Sequence, residues 1–142
     1  MSTAIHSTVL LVQNDAGERS RVLGAFANAA RKVRLCTAAD GEEAHAYLAG
    51  MGHYANREVY PIPQIVLMDI DSAKESEVEV LCRLCADILP VIGLTSGTDK
   101  IVIDRAYKLG TSSCVLKSHD ESVLQGIAIG IADYAALLQQ RA

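Results

Sequence analysis

Ile65-Val66-Leu67-Met68 is a run of four apolar residues that ends on a carboxylate, Asp69, with Ile70 and Asp71 after it. Four apolar residues in succession leave no face for water, so the run reads as a central strand buried on both sides. A strand of that kind needs cover above and below. An acid at its carboxyl end lies at the rim where open α/β sheets place their chemistry.

Around this run the chain alternates between short apolar strands and helical patterns. Residues 8–12 are β-rich, and Asp15 with Glu18 three later marks a helix start, continued by Val22, Leu23, Phe26 and Ala30. Residues 33–37 read as a second strand. Asp40-Gly41-Glu42-Glu43 repeats the cap signature before a helix carrying Ala44, Tyr47 and Leu48. Residues 50–63 read as a long loop punctuated by Gly50, Gly52, Pro61 and Pro63, by default a solvated insertion. His53 and Tyr54 within it are either a contact patch or anchors. After the central strand, a polar turn over 71–76 leads to a helix with Val78, Leu81, Cys82, Cys85 and Ile88. Residues 90–95 form a fourth strand ending at Thr95, with Ser96 next. Thr98-Asp99 opens a helix with Ile101, Ile103, Ala106 and Leu109, closed by Gly110 as a C-cap. Residues 113–116 are a fifth strand followed by Lys117, and Ser118-His119-Asp120-Glu121 reads as a capping box before a helix through Leu138.

Five alternations of strand and helix predict an α/β fold, a doubly wound parallel sheet with right-handed crossovers and helices on both faces. A length of 142 residues suits one domain with a hydrophobic core that needs no metal or disulfide staple. The net charge of −4 argues against a surface that neutralises nucleic-acid phosphates. The sequence offers no basic or strongly apolar segment for a membrane and a short polar start rather than a signal peptide, so a cytoplasmic protein is expected. Cys82 and Cys85 form a C-x-x-C inside an apolar helical pattern, with Cys36 and Cys114 elsewhere. Buried thiols are the expectation there, not a redox or zinc pair.

In a doubly wound sheet the carboxyl ends of all strands open on one edge. Asp69, Thr95 and Lys117 each stand at or just after a strand end, with Gln13-Asn14 after the first. A carboxylate, a hydroxyl and an ammonium converging on one crevice suit a phosphoryl group: the first can accept it and the others can bind its oxygens.

The chain resembles the response-regulator receiver domain of the CheY-like type over essentially its whole length. The matching pieces are Val9-Leu10-Leu11-Val12 with Arg19 after it, Asp40-Gly41-Glu42-Glu43-Ala44, and Ile65-Val66-Leu67-Met68-Asp69. Pro90-Val91-Ile92-Gly93-Leu94-Thr95-Ser96, Ala106-Tyr107-Lys108-Leu109-Gly110 and Val115-Leu116-Lys117 complete them. The loop before Pro63 and the Ala106-to-Gly110 run are most similar to the subgroup that partners phytochrome-type histidine kinases. The resemblance implies a flavodoxin/CheY-like three-layer sandwich, with sheet order 2-1-3-4-5 and five helices. It also implies one receiver domain over 1–142, with a core about 7–140 and no output domain. It makes Asp69 the phosphoacceptor, Thr95 the switch hydroxyl and Lys117 the phosphoryl-contacting lysine in two-component phosphorelay signalling. The protein is then not an enzyme. Its partner is a sensor histidine kinase or another signalling protein, and pairing with a second copy through the fourth and fifth helices is a family habit.

The pattern breaks at the metal site. The family holds Mg²⁺ with a pair of acids after the first strand, where this chain has Gln13 and Asn14. At an effective dielectric near 20, each lost charge at about 4 Å removes on the order of 4 kcal/mol of gross attraction. Asp71 or Asp15 would have to support the metal with Asp69 instead. Asp71 shares the side of Asp69 if the strand continues, because side chains repeat every two residues. Asp15 reads more simply as a helix cap. The switch aromatic is Cys114, Ser118 stands where proline usually follows the lysine, and the turn after Asp69 lacks the family's Pro and Gly. A cis peptide before a non-proline residue costs about 3 kcal/mol. The charges therefore favour an atypical receiver that docks its partner with weak or absent Mg²⁺-dependent phosphorylation, over a normally phosphorylated one. A haloacid-dehalogenase-type phosphatase, with Asp69 as nucleophile and Asp71 as general acid, is the reading from another class, and a flavin module of the same fold is weaker still.

Overall fold

The computed structural model describes residues 7–29, 33–97 and 99–140. Strands β1 (Ser7–Val12), β2 (Val33–Ala38), β3 (Ile65–Asp69), β4 (Val91–Thr95) and β5 (Ser113–Leu116) form one parallel sheet in the order β2-β1-β3-β4-β5. Helices α1 (Ala16–Ala29), α2 (Gly41–Ala49), α3 (Glu75–Cys85), α4 (Lys100–Leu109) and α5 (Glu121–Gln140) alternate with them. The doubly wound fold is as the alternation of strand and helix predicts, and the strand order is the one the resemblance implies.

The period of two within the strands decides which helix lies on which face. Val9, Leu11, Ile65, Leu67, Ile92 and Leu94 point to the layer built by α1 and α5, where they meet Val22, Phe26, Leu124, Ala128 and Ile131. Leu10, Val12, Val66, Met68 and Val91 point to the opposite layer, against Ala44, Tyr47, Val78, Leu81 and Ala106 of α2, α3 and α4. The four apolar side chains of β3 are all fully buried. Each such burial stabilises by about 1.5–3 kcal/mol.

Caps set where the helices begin. Asp15 accepts from the amides of Gly17 (2.8 Å) and Glu18 (3.2 Å), and Asp40 from Glu43 (2.9 Å). At α5 the cap is Asp120, accepting from Ser122 at 2.9 Å, while Ser118 Oγ only accepts from the Asp120 amide. The N-cap is thus Asp120 and not Ser118, and with Val123 at the third helical position there is no reciprocal capping box. Ile88 is another correction. Helix α3 ends at Cys85, Asp87 takes the left-handed region at φ 63°, and Ile88 is turned 75 % into solvent. Ala30 and Thr98 lie outside the described residues. Cys82 and Cys85 are free and buried, and burial pushes both thiols up to about 11.

Gly110 ends α4 at φ 116°, and a Cβ there would stand 2.9 Å from the Cys82 Cβ. Gly110→Ala should therefore cost about 2–4 kcal/mol through backbone strain and overlap with α3, read as a lower urea midpoint at unchanged slope.

Residues 50–63 are mostly exposed, as a solvated insertion would be, but are tied back onto α2. Arg57 donates to the carbonyls of Tyr47 (2.9 Å) and Leu48 (3.0 Å), and Tyr54 is an anchor buried between Tyr47 and Tyr60, with ring centroids 5.1 and 4.9 Å away. Helix α5, contrary to the reading that no segment is strongly apolar, is long and apolar enough to cross a membrane by length and composition. Its inner face, Leu124, Ala128, Ile131, Ala132 and Ala135, is embedded in the core.

Candidate functional site

The carboxyl ends of β1, β3, β4 and β5 bring Gln13, Asp69, Thr95 and Lys117 to one rim, and all four are at least nine-tenths buried. Asp69 is held from both sides. Its Oδ1 accepts from the backbone amides of Asp71 (2.9 Å) and Ser72 (3.3 Å). Its Oδ2 accepts from Lys117 Nζ at 2.5 Å and from Gln13 Nε2. Lys117 also lies 3.5 Å from Glu18 Oε2. Burial alone would lower the Lys117 pKa. The hydrogen bond and charge of Asp69, then Glu18 and Asp71, outweigh it and hold the ammonium above its ordinary range.

The orientation of the Gln13 amide follows from its other end. Gln13 Oε1 accepts from the Asp15 amide at 3.0 Å, a group that can only donate, so Nε2 is the atom on Asp69. Arg19 fixes the strand end by donating to the Gln13 carbonyl at 2.8 Å. Asn14 is exposed and lines a cleft of about 20 Å³ with Asp69, Asp40 and Glu77, room for about one water.

This donor set does not fit Mg²⁺. The ion needs oxygen ligands in near-octahedral array, and the nearest neighbours of the Asp69 carboxylate are four N–H donors. Among the described residues no three His, Cys, Asp or Glu side chains gather where they could hold a metal ion.

Neither compensating acid reaches Asp69. Asp15 caps α1. Asp71 turns toward β4: its Oδ1 accepts from Thr95 Oγ at 2.7 Å, and its Oδ2 from the Ser96 amide at 2.8 Å and Ser96 Oγ at 2.9 Å. The alternation that would have put Asp71 beside Asp69 stops because β3 ends at Asp69 itself. Burial pushes the Asp71 carboxyl up, but the Ser96 and Thr95 hydrogen bonds and the charge of Lys117 outweigh it and hold the group below the usual carboxylate range. A group held ionised is poorly suited to serve as a general acid, which weighs against the phosphatase reading. A depressed folded-state value contributes stability that is present above about pH 4 and lost as pH falls through the folded value. Asp71→Asn should therefore lower Tm at neutral pH, and its difference from the unsubstituted chain should shrink below about pH 4.

Three partners of the site were not singled out from the sequence. Glu18 reaches Lys117, Arg21 donates to the Ser118 carbonyl at 2.6 Å, and Ser96 holds Asp71. The spacing of Glu18 and Arg21, one helical turn apart at 3.6 Å, is visible in sequence, but not that this turn faces β5. Cys114 is half-buried, its Sγ 3.8 Å from Thr111 Oγ, and no cis peptide occurs among the described residues.

No protein-family model matches the sequence, and no curated protein matches it. Solved structures do. The chain matches a response regulator in red-light signalling of R. palustris at TM-score 0.78 and 24 % identity, covering 88 % of this chain and 90 % of that one. It matches the phosphorylated cyanobacterial phytochrome response regulator RcpA at TM-score 0.74 and 29 % identity, over 93 % and 95 %. The chain has the fold of a CheY-like receiver domain. The Mn²⁺-bound form of response regulator Rcp1 matches at TM-score 0.68 and 24 % identity, over 90 % and 93 %. In this chain the rim residues take the arrangement described above, with an amide nitrogen of Gln13 on the carboxylate of Asp69.

Proposed function

We propose that this receiver acts in two-component signalling by docking a partner protein, with Asp69 held as a structural carboxylate and not as a Mg²⁺-dependent phosphoacceptor. The observation that carries the proposal is the saturation of Asp69 by Lys117, Gln13 and the amides of Asp71 and Ser72. Attack on a phosphoryl donor requires a free oxygen lone pair and a cation to neutralise the transferring charge. Here Oδ2 already accepts two charge-assisted hydrogen bonds, and the groups next to it are donors.

The partner class we propose is a sensor histidine kinase of the phytochrome type, in keeping with the names of the similar response regulators. The receiver is then a cytoplasmic, non-enzymatic docking module. Pairing with a second copy through α4, β5 and α5 belongs to the same proposal, supported by the exposed apolar side chains Ile101, Leu116 and Val123 on those elements. A second reading, ordinary phosphorylation, draws support from the intact Asp69–Lys117 contact. Incubation with a small-molecule phosphodonor and Mg²⁺, followed by intact mass, separates the two. Docking predicts no gain of a phosphoryl group. A stoichiometric gain that is lost in Asp69→Ala would establish the second reading.

A further inference from the structure

Asp71 makes contacts that its position in the chain does not require. Its carboxylate is the acceptor for three donors at the end of β4: the Thr95 hydroxyl, the Ser96 amide and the Ser96 hydroxyl, at 2.7, 2.8 and 2.9 Å. The Thr95 oxygen also accepts from the Gly97 amide at 3.2 Å, and its hydroxyl has the Asp71 carboxylate at 2.7 Å as a much nearer acceptor than the Gly97 carbonyl at 3.5 Å. The Asp71 backbone is fixed from behind by its own amide on Asp69 Oδ1.

Two hydroxyls and a backbone N–H converging on one anionic group are an oxyanion-binding donor set. We infer that Asp71 is a tethered occupant of an oxyanion site formed by Thr95 and Ser96, whose external ligand class is phosphate or a phosphoryl group. A tethered carboxylate competes at an effective concentration of order millimolar or higher, so a free anion of ordinary concentration is excluded. The consequence for signalling rests on the receiver reading: the turn after β4 is held in its anion-engaged arrangement without any phosphoryl group on Asp69. The chain would then present one fixed surface, in keeping with the absence of a switch ring at Cys114.

The test uses inorganic phosphate, titrated at constant ionic strength into isotope-labelled full-length protein and followed at the amides of Ser96 and Gly97. Both chains compared carry Asp69→Asn, so the outcome does not depend on whether Asp69 is ever phosphorylated, and it can fail where the mass experiment succeeds or the reverse. With Asp71 present, millimolar phosphate should leave these amides unmoved. With Asp71→Ala they should shift saturably, with roughly tenfold or more tighter apparent binding. Equal response in the two chains, or no response in either, overturns the proposal. Should the substituted chain not fold, the unsubstituted protein gives the answer by itself. A scalar coupling across the hydrogen bond from the Ser96 amide nitrogen to the Asp71 carboxyl carbon should be present, and its absence refutes the tether.

Discussion

Lys117→Met should cost about 3 kcal/mol of folding stability, a large fraction of what a domain of this size has. Lys117 and Asp69 are both buried, with side chains 5 % and 4 % exposed, and their contact is 2.5 Å. Removing the ammonium leaves a carboxylate in the interior without its counter-charge, which typically costs 3–5 kcal/mol. The remaining donors, Gln13 Nε2 and two backbone amides, place the expected loss at the lower end of that range. Adding Asp69→Asn to Lys117→Met should recover most of the loss, because the orphaned charge goes with it. Urea denaturation of the two single variants and the double variant gives the coupling directly. The pH dependence has a definite sign. Lys117 has a raised folded-state value, so its contribution is complete below the unfolded value near 10.4 and is lost as pH rises through the folded one. The difference between the unsubstituted chain and Lys117→Met should therefore hold steady from neutral pH to about 10 and narrow only above it.

The second large effect is a gain. Gln13→Asp with Asn14→Asp should give the site an affinity for Mg²⁺. The exchange replaces an N–H donor on Asp69 with oxygen ligands and adds two charges, each worth on the order of 4 kcal/mol of gross attraction at about 4 Å. Without metal the double variant should be less stable than the unsubstituted chain, because a second carboxylate then faces Asp69 with nothing between them. With Mg²⁺ at about 100 times its dissociation constant it should regain about 2.7 kcal/mol. Its Tm becomes dependent on Mg²⁺, and a small-molecule phosphodonor should now add a phosphoryl group that intact mass detects. A double variant that neither binds Mg²⁺ nor gains a phosphoryl group would contradict the role proposed for Gln13 and Asn14.

The parts of this architecture that were legible in sequence are those governed by local periodicity. The apolar runs that became β1, β3 and β4 have no polar face to misplace, and Asp15 and Asp40 cap helices as their spacing predicts. Legibility ended where the chain turns. Ile88 fits the helical period, but Asp87 at positive φ redirects the backbone before it. Ser118 fits a capping box, yet Asp120 is nearer the first free amides and takes them. Asp71 is the instructive case. Period-two reasoning holds only within a strand, and past Asp69 the side chain is aimed by a turn whose geometry depends on β4, 24 residues later in sequence. The replacement of the acid pair was plain from Gln13 and Asn14, but not that the Gln13 amide would itself bond Asp69, because that depends on the Asp15 amide holding the other end.

An amide nitrogen stands on Asp69 where a receiver's metal chemistry needs a cation. A Mg²⁺ titration of the unsubstituted protein, followed at the amides of Asp71 and Ser72 and at the side-chain NH₂ of Gln13, tests this arrangement most directly. None of these signals should move at millimolar Mg²⁺, and the Gln13 NH₂ should stay protected by its bond to Asp69. A saturable shift at all three, with loss of that protection, would contradict the arrangement.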